Sequence, residues 1–408
     1  MSSTQSLSGT FAARWIVPVS APPIHGGWLR VEQDRIVALE TTATPRDCID
    51  LGDVALLPGL VNAHTHLEFS DLTQPLGTPG NRLPDWIASV VRHRREHEVH
   101  DVAELQRRRG EAIRSGCAQS LDAGVRLLGE IATLPWIDEL PDPRLQVVAF
   151  AETLGLSPHR AAQTLAAATD WMKIPIPGVE FALSPHAPYS TRPQLLEDCV
   201  QFASQQRLSV AMHVAESREE LELLQTGCGP FRDILVELGA WQEGLFPLHG
   251  GLDSTLQQLV AAPRGLIIHG NYLDAAQINL LSQHPHLSVV FCPRTHAFFQ
   301  HDPYPLQALL AAGVRVALGT DSRSSNPDLC LWKELLQVVH TIPQVAPATV
   351  LRMATLAGAE ALGRHDHGRI AVGARPGLLT VPTTAATAAK LWQAIVDCPQ
   401  PDVLCVQG

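Results

Sequence analysis

Two histidines one residue apart, His64 and His66, follow the apolar run that extends from Val54 to Val61. On an extended backbone, side chains two positions apart point to the same face, so both imidazoles could bind one metal ion. A lone His-x-His pair is weak evidence. Taken alone, it is better explained as two hydrogen-bonded polar residues where a strand ends.

Four further polar residues stand at equivalent places, each at or just after the end of a later apolar run. They are His213, Glu216, His269 and Asp321. Neutral imidazoles and a carboxylate that converge from different strands form a ligand set for one divalent transition metal ion. Zinc is the first choice, with iron(II) or manganese(II) as alternatives. Because these four residues are present, His64 and His66 are predicted to be metal ligands.

The elements that must position these residues are eight short apolar runs that alternate with longer amphipathic segments. The amphipathic segments include residues 192–206 and 303–313, the second ending on Gly313 as a helix would. Such a series predicts an α/β fold, a closed parallel (β/α)8 TIM-type barrel, with the active site at the carboxyl ends of its strands. The predicted strands are 56–64, 118–123, 145–152, 179–186, 208–216, 265–273, 287–293 and 314–321.

The two ends of the chain follow a different pattern. Residues 1–55 hold short strand-like pieces separated by turn signals such as Pro22-Pro23, and residues 371–408 resume with similar pieces. We expect the two ends to form a small β-sandwich unit beside a barrel of residues 56–370.

The composition and net charge of the chain argue against some classes of binding partner. In the 408 residues, 45% are hydrophobic and 17% charged, which suits a compact chain with a large core. The net charge of −11 argues against a nucleic-acid partner. No segment approaches the ~18 uninterrupted apolar residues of a membrane span, so no membrane partner and a cytoplasmic location are expected. The eight cysteines include no C-x-x-C pair and are predicted to be reduced, mostly buried thiols. The protein could also form a homo-oligomer, which the sequence does not decide.

Several motifs together resemble the amidohydrolase superfamily of metal-dependent hydrolases. They are LLPGLVNAHTHLEFSDL, SPHAPYST, MHVAES, IIHGNYL, FCPRTHAFF, ALGTDSRSSNPDL, ATLAGAEALG and GRIAVGARPGLLTV. The chain is most similar to the aminohydrolase and chlorohydrolase branch, which includes deaminases of adenosine-like nucleosides, S-adenosylhomocysteine and aminodeoxyfutalosine. The resemblance implies one metal ion held by His64, His66, His213 and Asp321. It also implies that Glu216 is the proton shuttle and that His269 lies beside the metal-bound water.

The lysines favour one metal ion over two. Binuclear members of the superfamily bridge their metals with a carboxylated lysine at a strand end, whereas this chain has only Lys173, Lys333 and Lys390. None of these ends a predicted strand. The fourth strand ends instead in SPHAPYST, where His186 could face the substrate.

These residues predict deamination of an amino-substituted nitrogen heterocycle, an adenosine-like nucleoside or related purine, with release of ammonia. Zinc lowers the pKa of a bound water from about 15.7 to about 7 and so provides hydroxide at neutral pH. Glu216 would protonate the ring nitrogen, Asp321 would hold the attacking water, and His269 would stabilise the tetrahedral oxygen. Hydrolysis of another C–N bond or of a C–Cl bond is the alternative, and a non-catalytic binding protein is the third class.

Substrate contacts are predicted from isolated residues. Trp86 could cover a planar ring, although a single tryptophan is more often part of a core. Arg294 and His296 could bind a polar substituent. The run 92–100, which contains Arg92, Arg94 and Arg95, could meet an acidic group or form an exposed helix face, and Glu68 could line the mouth or lie exposed in a loop.

Overall fold

A computed structural model of the chain describes residues 7–97 and 101–404. Their strands form two sheets, one with eight strands and one with seven. The last three residues of the charged run 92–100 and the predicted thiol Cys405 lie outside the described residues, as does the extreme end of the 371–408 segment. Within the described part of the chain, no helix is long and apolar enough to cross a membrane.

The eight-stranded sheet is the predicted parallel barrel. Its strands neighbour one another in chain order, and every ladder between them is parallel. The strands are buried along most of their length, as expected when helices cover the outside of a barrel. They are β6 Leu60–Thr65, β7 Val125–Ala132, β8 Gln146–Thr153, β9 Val179–Pro185, β10 Val210–Val214, β11 Gly265–His269, β12 Leu287–Phe291 and β13 Arg315–Leu318.

Side chains join the first barrel strand to the last. Asn62 Nδ2 donates to Thr320 Oγ1 at 2.8 Å, and the Thr320 amide donates back to Asn62 Oδ1 at 3.1 Å. Just beyond them, the Asp321 amide donates to the His64 carbonyl at 3.1 Å. The ends of β6 and β13 are therefore held side by side, which brings together residues more than 250 positions apart.

The helices lie mainly between the barrel strands, and several begin at a proline or at a capping side chain. They are α1 Leu83–Glu96, α2 Val102–Asp122, α3 Pro158–Trp171, α4 Pro193–Gln206, α5 Arg218–Thr226, α6 Pro230–Glu237, α7 Gly251–Val260, α8 Ala275–Ser282, α9 Pro293–Phe299, α10 Leu306–Ala311, α11 Leu331–Thr341, α12 Pro347–Met353, α13 Leu356–Ala361 and α14 Ala388–Asp397.

The seven-stranded sheet combines strands from both ends of the chain. Its order is β15-β14-β5-β1-β2-β3, with β4 paired to β1. A separate apolar cluster that includes Phe11, Leu29 and Leu378 packs against it. The strands are β1 Gly9–Ile16, β2 Ile24–Glu32, β3 Arg35–Glu40, β4 Cys48–Asp50, β5 Val54–Leu57, β14 Leu379–Pro382 and β15 Asp402–Val403.

Two predicted strands were wrong in detail. Residues 118–123 are the last turns of α2, and the second barrel strand is β7, which begins after Gly124. Gly124 adopts a φ of +88°, which favours glycine and lets the chain turn from helix into strand. The strand predicted over 56–64 is two strands, β5 and β6, separated by Pro58-Gly59. Residues 56 and 57 therefore pair in the seven-stranded sheet.

Candidate active site

Three histidines converge at the carboxyl ends of the barrel strands. His64 lies in β6, His66 directly follows it, and His213 lies in β10. One ring nitrogen from each lies within 4.8 Å of the other two, and the Nε2 atoms of His66 and His213 are 3.2 Å apart. Both ring nitrogens of His64 are buried and have no hydrogen-bond partner among the described residues. Buried polar atoms are rarely left unpaired, so this cluster fits a metal ion.

The remaining contacts of His213 set its orientation. His213 Nδ1 lies 2.8 Å from the His186 carbonyl, to which it can donate, and this leaves the Nε2 lone pair directed towards His66. Burial lowers the pKa of His64 and His66 well below the usual value and lowers that of His213 to about 4. Neutral imidazoles are the form that binds metal ions, so the cluster is prepared for coordination.

Asp321 completes the cluster from β13. Its Oδ1 lies 3.5 Å from His64 Nε2 and 3.8 Å from His66 Nε2. Its other oxygen, Oδ2, accepts a hydrogen bond from Ser325 Oγ at 2.8 Å. Because Ser325 engages one oxygen, the other faces the histidines.

Glu216 and His269 form a second pair beside this cluster. Glu216 Oε1 lies 3.4 Å from His269 Nε2, and both side chains are less than a tenth exposed. Burial, followed by the negative charges of Asp321 and Glu220, raises the pKa of Glu216 well above its usual value. A carboxyl group with a raised pKa can carry a proton at neutral pH, as a general acid requires.

The backbone around these side chains is strained. Ala215, His269 and Asp321 have φ values of +53°, +67° and +56°, in a region that residues other than glycine rarely adopt. Tyr304 Oη donates to the His269 carbonyl at 2.8 Å and helps to hold that conformation. Such strain persists only where surrounding contacts enforce it, and it clusters at functional sites.

Glu130 is a buried residue that the sequence analysis missed. It lies in β7 and accepts hydrogen bonds from Thr65 Oγ1 at 2.6 Å and from the Leu67 amide at 3.0 Å. These two residues flank His66, so Glu130 fixes the backbone that presents the His66 side chain. An acidic residue inside the apolar run VRLLGEIA was the signal that could have found it.

Glu220 holds the segment that carries Glu216 and was also missed. It accepts from the Ala215 amide at 3.0 Å and from the Glu216 amide at 2.8 Å. The available signal was the spacing of Ser217 and Glu220, which is that of a capping box at a helix start. In the structure Ser217 does cap α5, while the Glu220 carboxylate reaches further back, to the strained turn.

A cavity opens over the cluster. Trp86 lines it and is fixed in place, because Trp86 Nε1 donates to the Ser324 carbonyl at 3.1 Å and its ring packs edge-on against Phe299. His186 also lines the cavity, as do Glu216, His269 and Asp321 at its floor. Much of the wall is apolar and comes from α1 and α6, with Ile87, Val90, Phe231 and Leu235.

Arg294 and His296 lie elsewhere. The Arg294 guanidinium is 2.7 Å from Asp328 Oδ1 and 3.7 Å from Glu334 Oε1, and Arg294 is absent from the described residues that line the cavity. His296 Nε2 lies 2.9 Å from the Asp302 carbonyl. The structure thus does not bring Arg294 to the substrate cavity, because acidic neighbours engage its charge.

The charged residues of α1 divide into two groups. Arg92 and Arg95 are exposed on the helix surface. Arg94 lines the cavity and forms an ion pair with Glu68, which is also 3.7 Å from Arg109 Nε. The side chain of Glu68 is only 6% exposed, so it is a buried ion-pair partner and not an exposed loop carboxylate.

Comparisons with known proteins agree with this geometry. The chain is 29% identical to a 5-methylthioadenosine/S-adenosylhomocysteine deaminase of Nitratidesulfovibrio vulgaris (strain DP4), over 88% of this chain and 78% of that protein. It is 28% identical to an aminodeoxyfutalosine deaminase of Deinococcus radiodurans, over 78% of this chain and 76% of that protein.

A solved structure has the same fold. The crystal structure of Helicobacter pylori aminofutalosine deaminase in complex with methylthio-coformycin superposes with a TM-score of 0.81 at 21% identity, covering 96% of this chain and 97% of that one. The model of the amidohydrolase family matches residues 55–397, which include all eight barrel strands and part of the chain beyond them. The predicted resemblance is confirmed, and the protein belongs to the amidohydrolase family.

Proposed function

We propose that this protein is a metal-dependent deaminase of an amino-substituted nitrogen heterocycle, an adenosine-like nucleoside or a related purine. The observation that carries the proposal is the Glu216–His269 pair, which lies beside the histidine cluster at the floor of a cavity of mixed apolar and polar walls. The relatives named above are deaminases of purine-containing compounds, which supports the same reaction class here.

His64, His66, His213 and Asp321 would hold one divalent ion, with zinc first and iron(II) or manganese(II) as alternatives. The buried ring nitrogens of His64, which have no hydrogen-bond partner in the described part of the chain, support this donor set. When bound, the ion supplies Lewis-acid activation of a water molecule at neutral pH.

The side chains around the ion would then move protons. Attack on a ring carbon that bears an amine places negative charge on the adjacent ring nitrogen, and the carboxyl group of Glu216 would protonate that atom. Asp321 would accept the proton of the attacking water, while His269 would stabilise the oxygen added to the carbon. Return of a proton to the departing amine releases ammonia.

The walls of the cavity suit a planar ring. Trp86 would cover one face of the heterocycle, and His186 would meet its polar edge. Since α1 and α6 add apolar surface, a small molecule with an apolar substituent would also bury that substituent.

The test is ammonia release by metal-loaded protein from a panel of aminopurines, adenosine-like nucleosides and pterins. We expect ammonia from at least one of them, at a rate that depends on added metal. Release of chloride from chlorinated triazines without ammonia from the panel would favour the chlorohydrolase alternative. Silence of the metal-loaded protein with every compound, together with retained binding, would instead favour a non-catalytic binding protein.

A further inference from the structure

One side of the cavity is polar and is not used by the proposed proton transfers. It contains Arg94, Glu152, His186 and Ser190, which follow or face the ends of β8 and β9. Arg94 is engaged by Glu68, and Glu68 also accepts from Thr133 Oγ1 at 2.9 Å. Arg94 and Glu68 are therefore paired with each other, whereas Glu152 is not.

The side chain of Glu152 is only 6% exposed, yet few hydrogen-bond donors of the described residues lie near its carboxylate. Thr133 Oγ1 lies 3.4 Å from Glu152 Oε2 but only 2.9 Å from Glu68, and its single proton can serve only one of them well. His186 Nε2 is 3.9 Å from Glu152 Oε1, beyond hydrogen-bond reach. No hydrogen bond among the described residues ends on Glu152 Oε1, although this carboxylate lines the cavity.

His186, the polar neighbour of that oxygen, is anchored through its other ring nitrogen. His186 Nδ1 lies 2.6 Å from Ser190 Oγ, and His186 O accepts from His213. The bond to Ser190 anchors the imidazole in an orientation that leaves its Nε2 3.9 Å from Glu152 Oε1. A buried carboxylate oxygen that faces a cavity without a donor is completed by a donor on the ligand.

We propose that Glu152 is a specificity-determining residue that accepts a hydrogen bond from a neutral N–H or O–H group of the substrate, at a position remote from the leaving amine. A cationic group is disfavoured because the Arg94 guanidinium lines the same wall of the cavity. The donor is either a second amino group on the ring or a hydroxyl group of an attached sugar. This inference rests on the proposed function for its substrate class.

The experiment measures binding without turnover, using ligands that lack the leaving amine. Metal-loaded protein is titrated calorimetrically with purine riboside against 2′,3′-dideoxy purine riboside, and with 2-aminopurine against purine. The first pair differs in sugar hydroxyls and the second in a ring amine. We expect the wild type to bind the donor-bearing member at least about tenfold more tightly in one pair, because a hydrogen bond to a charged group contributes that much. The pair that discriminates identifies the source of the donor.

Variants assign the effect to Glu152. Glu152→Leu removes the acceptor and should reduce the discrimination to below about threefold, while affinity for the donor-free member stays within about threefold of the wild type. Glu152→Gln keeps an acceptor oxygen and should retain part of the discrimination. Glu197→Leu, at an exposed position of α4, is the matched control and should behave as the wild type. Metal content and thermal melting establish whether each variant is folded. If Glu152→Leu does not fold, the discrimination by Glu152→Gln tests the inference instead.

Two results would overturn the inference: a wild type that distinguishes neither pair, or a folded Glu152→Leu variant that discriminates as well as the wild type. Its failure is separable from that of the proposed function. Ammonia release without discrimination would show that the protein is a deaminase in which Glu152 does not contribute to substrate specificity. Discrimination without ammonia release from any amino compound would support the role of Glu152 in binding and contradict the proposed deaminase reaction.

Discussion

The residues at the centre of this barrel carry unfavourable features that only function explains. Among the described residues, neither ring nitrogen of the buried His64 has a hydrogen-bond partner, and Glu216 buries a carboxyl group near Asp321. Each of these arrangements lowers stability by an amount on the order of 1–3 kcal/mol unless a ligand or proton compensates it. Their concentration at one end of the barrel supports the proposal that a metal ion and a substrate bind there.

Replacing Glu216 with glutamine tests the proposed proton shuttle. The change removes a proton donor but keeps the size of the side chain, and Glu216 is not one of the proposed ligands. We expect kcat to fall by about 10²–10⁴-fold, the usual contribution of general acid–base catalysis. Metal content, measured by mass spectrometry of the purified protein, should stay at the wild-type ratio.

Glu222→Gln is the matched control for this change, because Glu222 is exposed on α5, the helix that follows. It should leave both kcat and metal content unaltered. Activity of Glu216→Gln within threefold of the wild type would show that another group moves the proton. Loss of metal from that variant would show that Glu216 is itself a ligand.

Ser325→Ala tests how Asp321 is oriented. The hydroxyl of Ser325 is the donor to Asp321 Oδ2, and its removal lets the carboxylate turn away from the histidines. Groups that orient a ligand in this way typically contribute about 10–100-fold to metal affinity or activity. A metal titration with a competing chelator should reveal a loss of that size. Ser282→Ala, which removes a hydroxyl bonded within α8 to Asn279, should not change the titration.

The clustering of the proposed metal ligands was predictable from the sequence, whereas the carboxylates that hold the neighbouring backbone were not. His64, His66, His213 and Asp321 stand at the ends of recognisable apolar runs. Glu130 acts on backbone and hydroxyl groups of β6, a different strand. Such a contact depends on the register between two strands, which local sequence patterns do not determine.

At the level of elements, the barrel could be predicted because seven of its strands are apolar runs followed by polar residues. The second strand was misplaced for a physical reason. Residues 118–123 mix small, polar and apolar residues and fit either period, while burial of Ile113, Cys117 and Leu121 follows the spacing of a helix. Because the helix extends to Asp122, the strand begins only after Gly124.

Gly319 governs how closely the first and last strands approach. A Cβ atom there would lie 2.8 Å from His64 Cβ and 3.1 Å from the His64 carbonyl. Gly319→Ala should therefore push β13 away from β6 and separate Asp321 from His64. We expect a loss of about 1–3 kcal/mol in the free energy of unfolding, measured with urea, and weaker metal binding.

Gly110→Ala is the matched control, because Gly110 lies inside α2 and a Cβ there would first meet the flexible end of Arg114, at 3.0 Å. Alanine is favoured over glycine within a helix by roughly 0.5–1 kcal/mol, so this variant should be as stable as the wild type or slightly more stable. Equal stability and equal metal affinity of the two variants would show that the β6–β13 approach does not position the ligands.

For the molecule as a whole, the proposed metal site links distant parts of one barrel. His64 and Asp321 lie on either side of the junction between β6 and β13, and His213 reaches them from β10. An ion bound to all of them would connect the beginning, middle and end of residues 60–321. Metal binding should accordingly stabilise the folded barrel rather than one local segment.

Removal and return of the metal test this connection. Protein stripped with a chelator should unfold at a lower temperature in a calorimetric scan, and zinc should raise the midpoint by an amount that grows with the logarithm of its concentration. At a metal concentration 100-fold above Kd, the expected gain is about 2.7 kcal/mol. His213→Ala should lose the response, because it removes one ligand. His159→Ala, at an exposed position of α3, should keep it, since any response of His159 would come from nonspecific binding at the surface. A midpoint unmoved by zinc in the wild type would contradict a metal bound across the barrel, whereas an undiminished shift in His213→Ala would place the metal elsewhere.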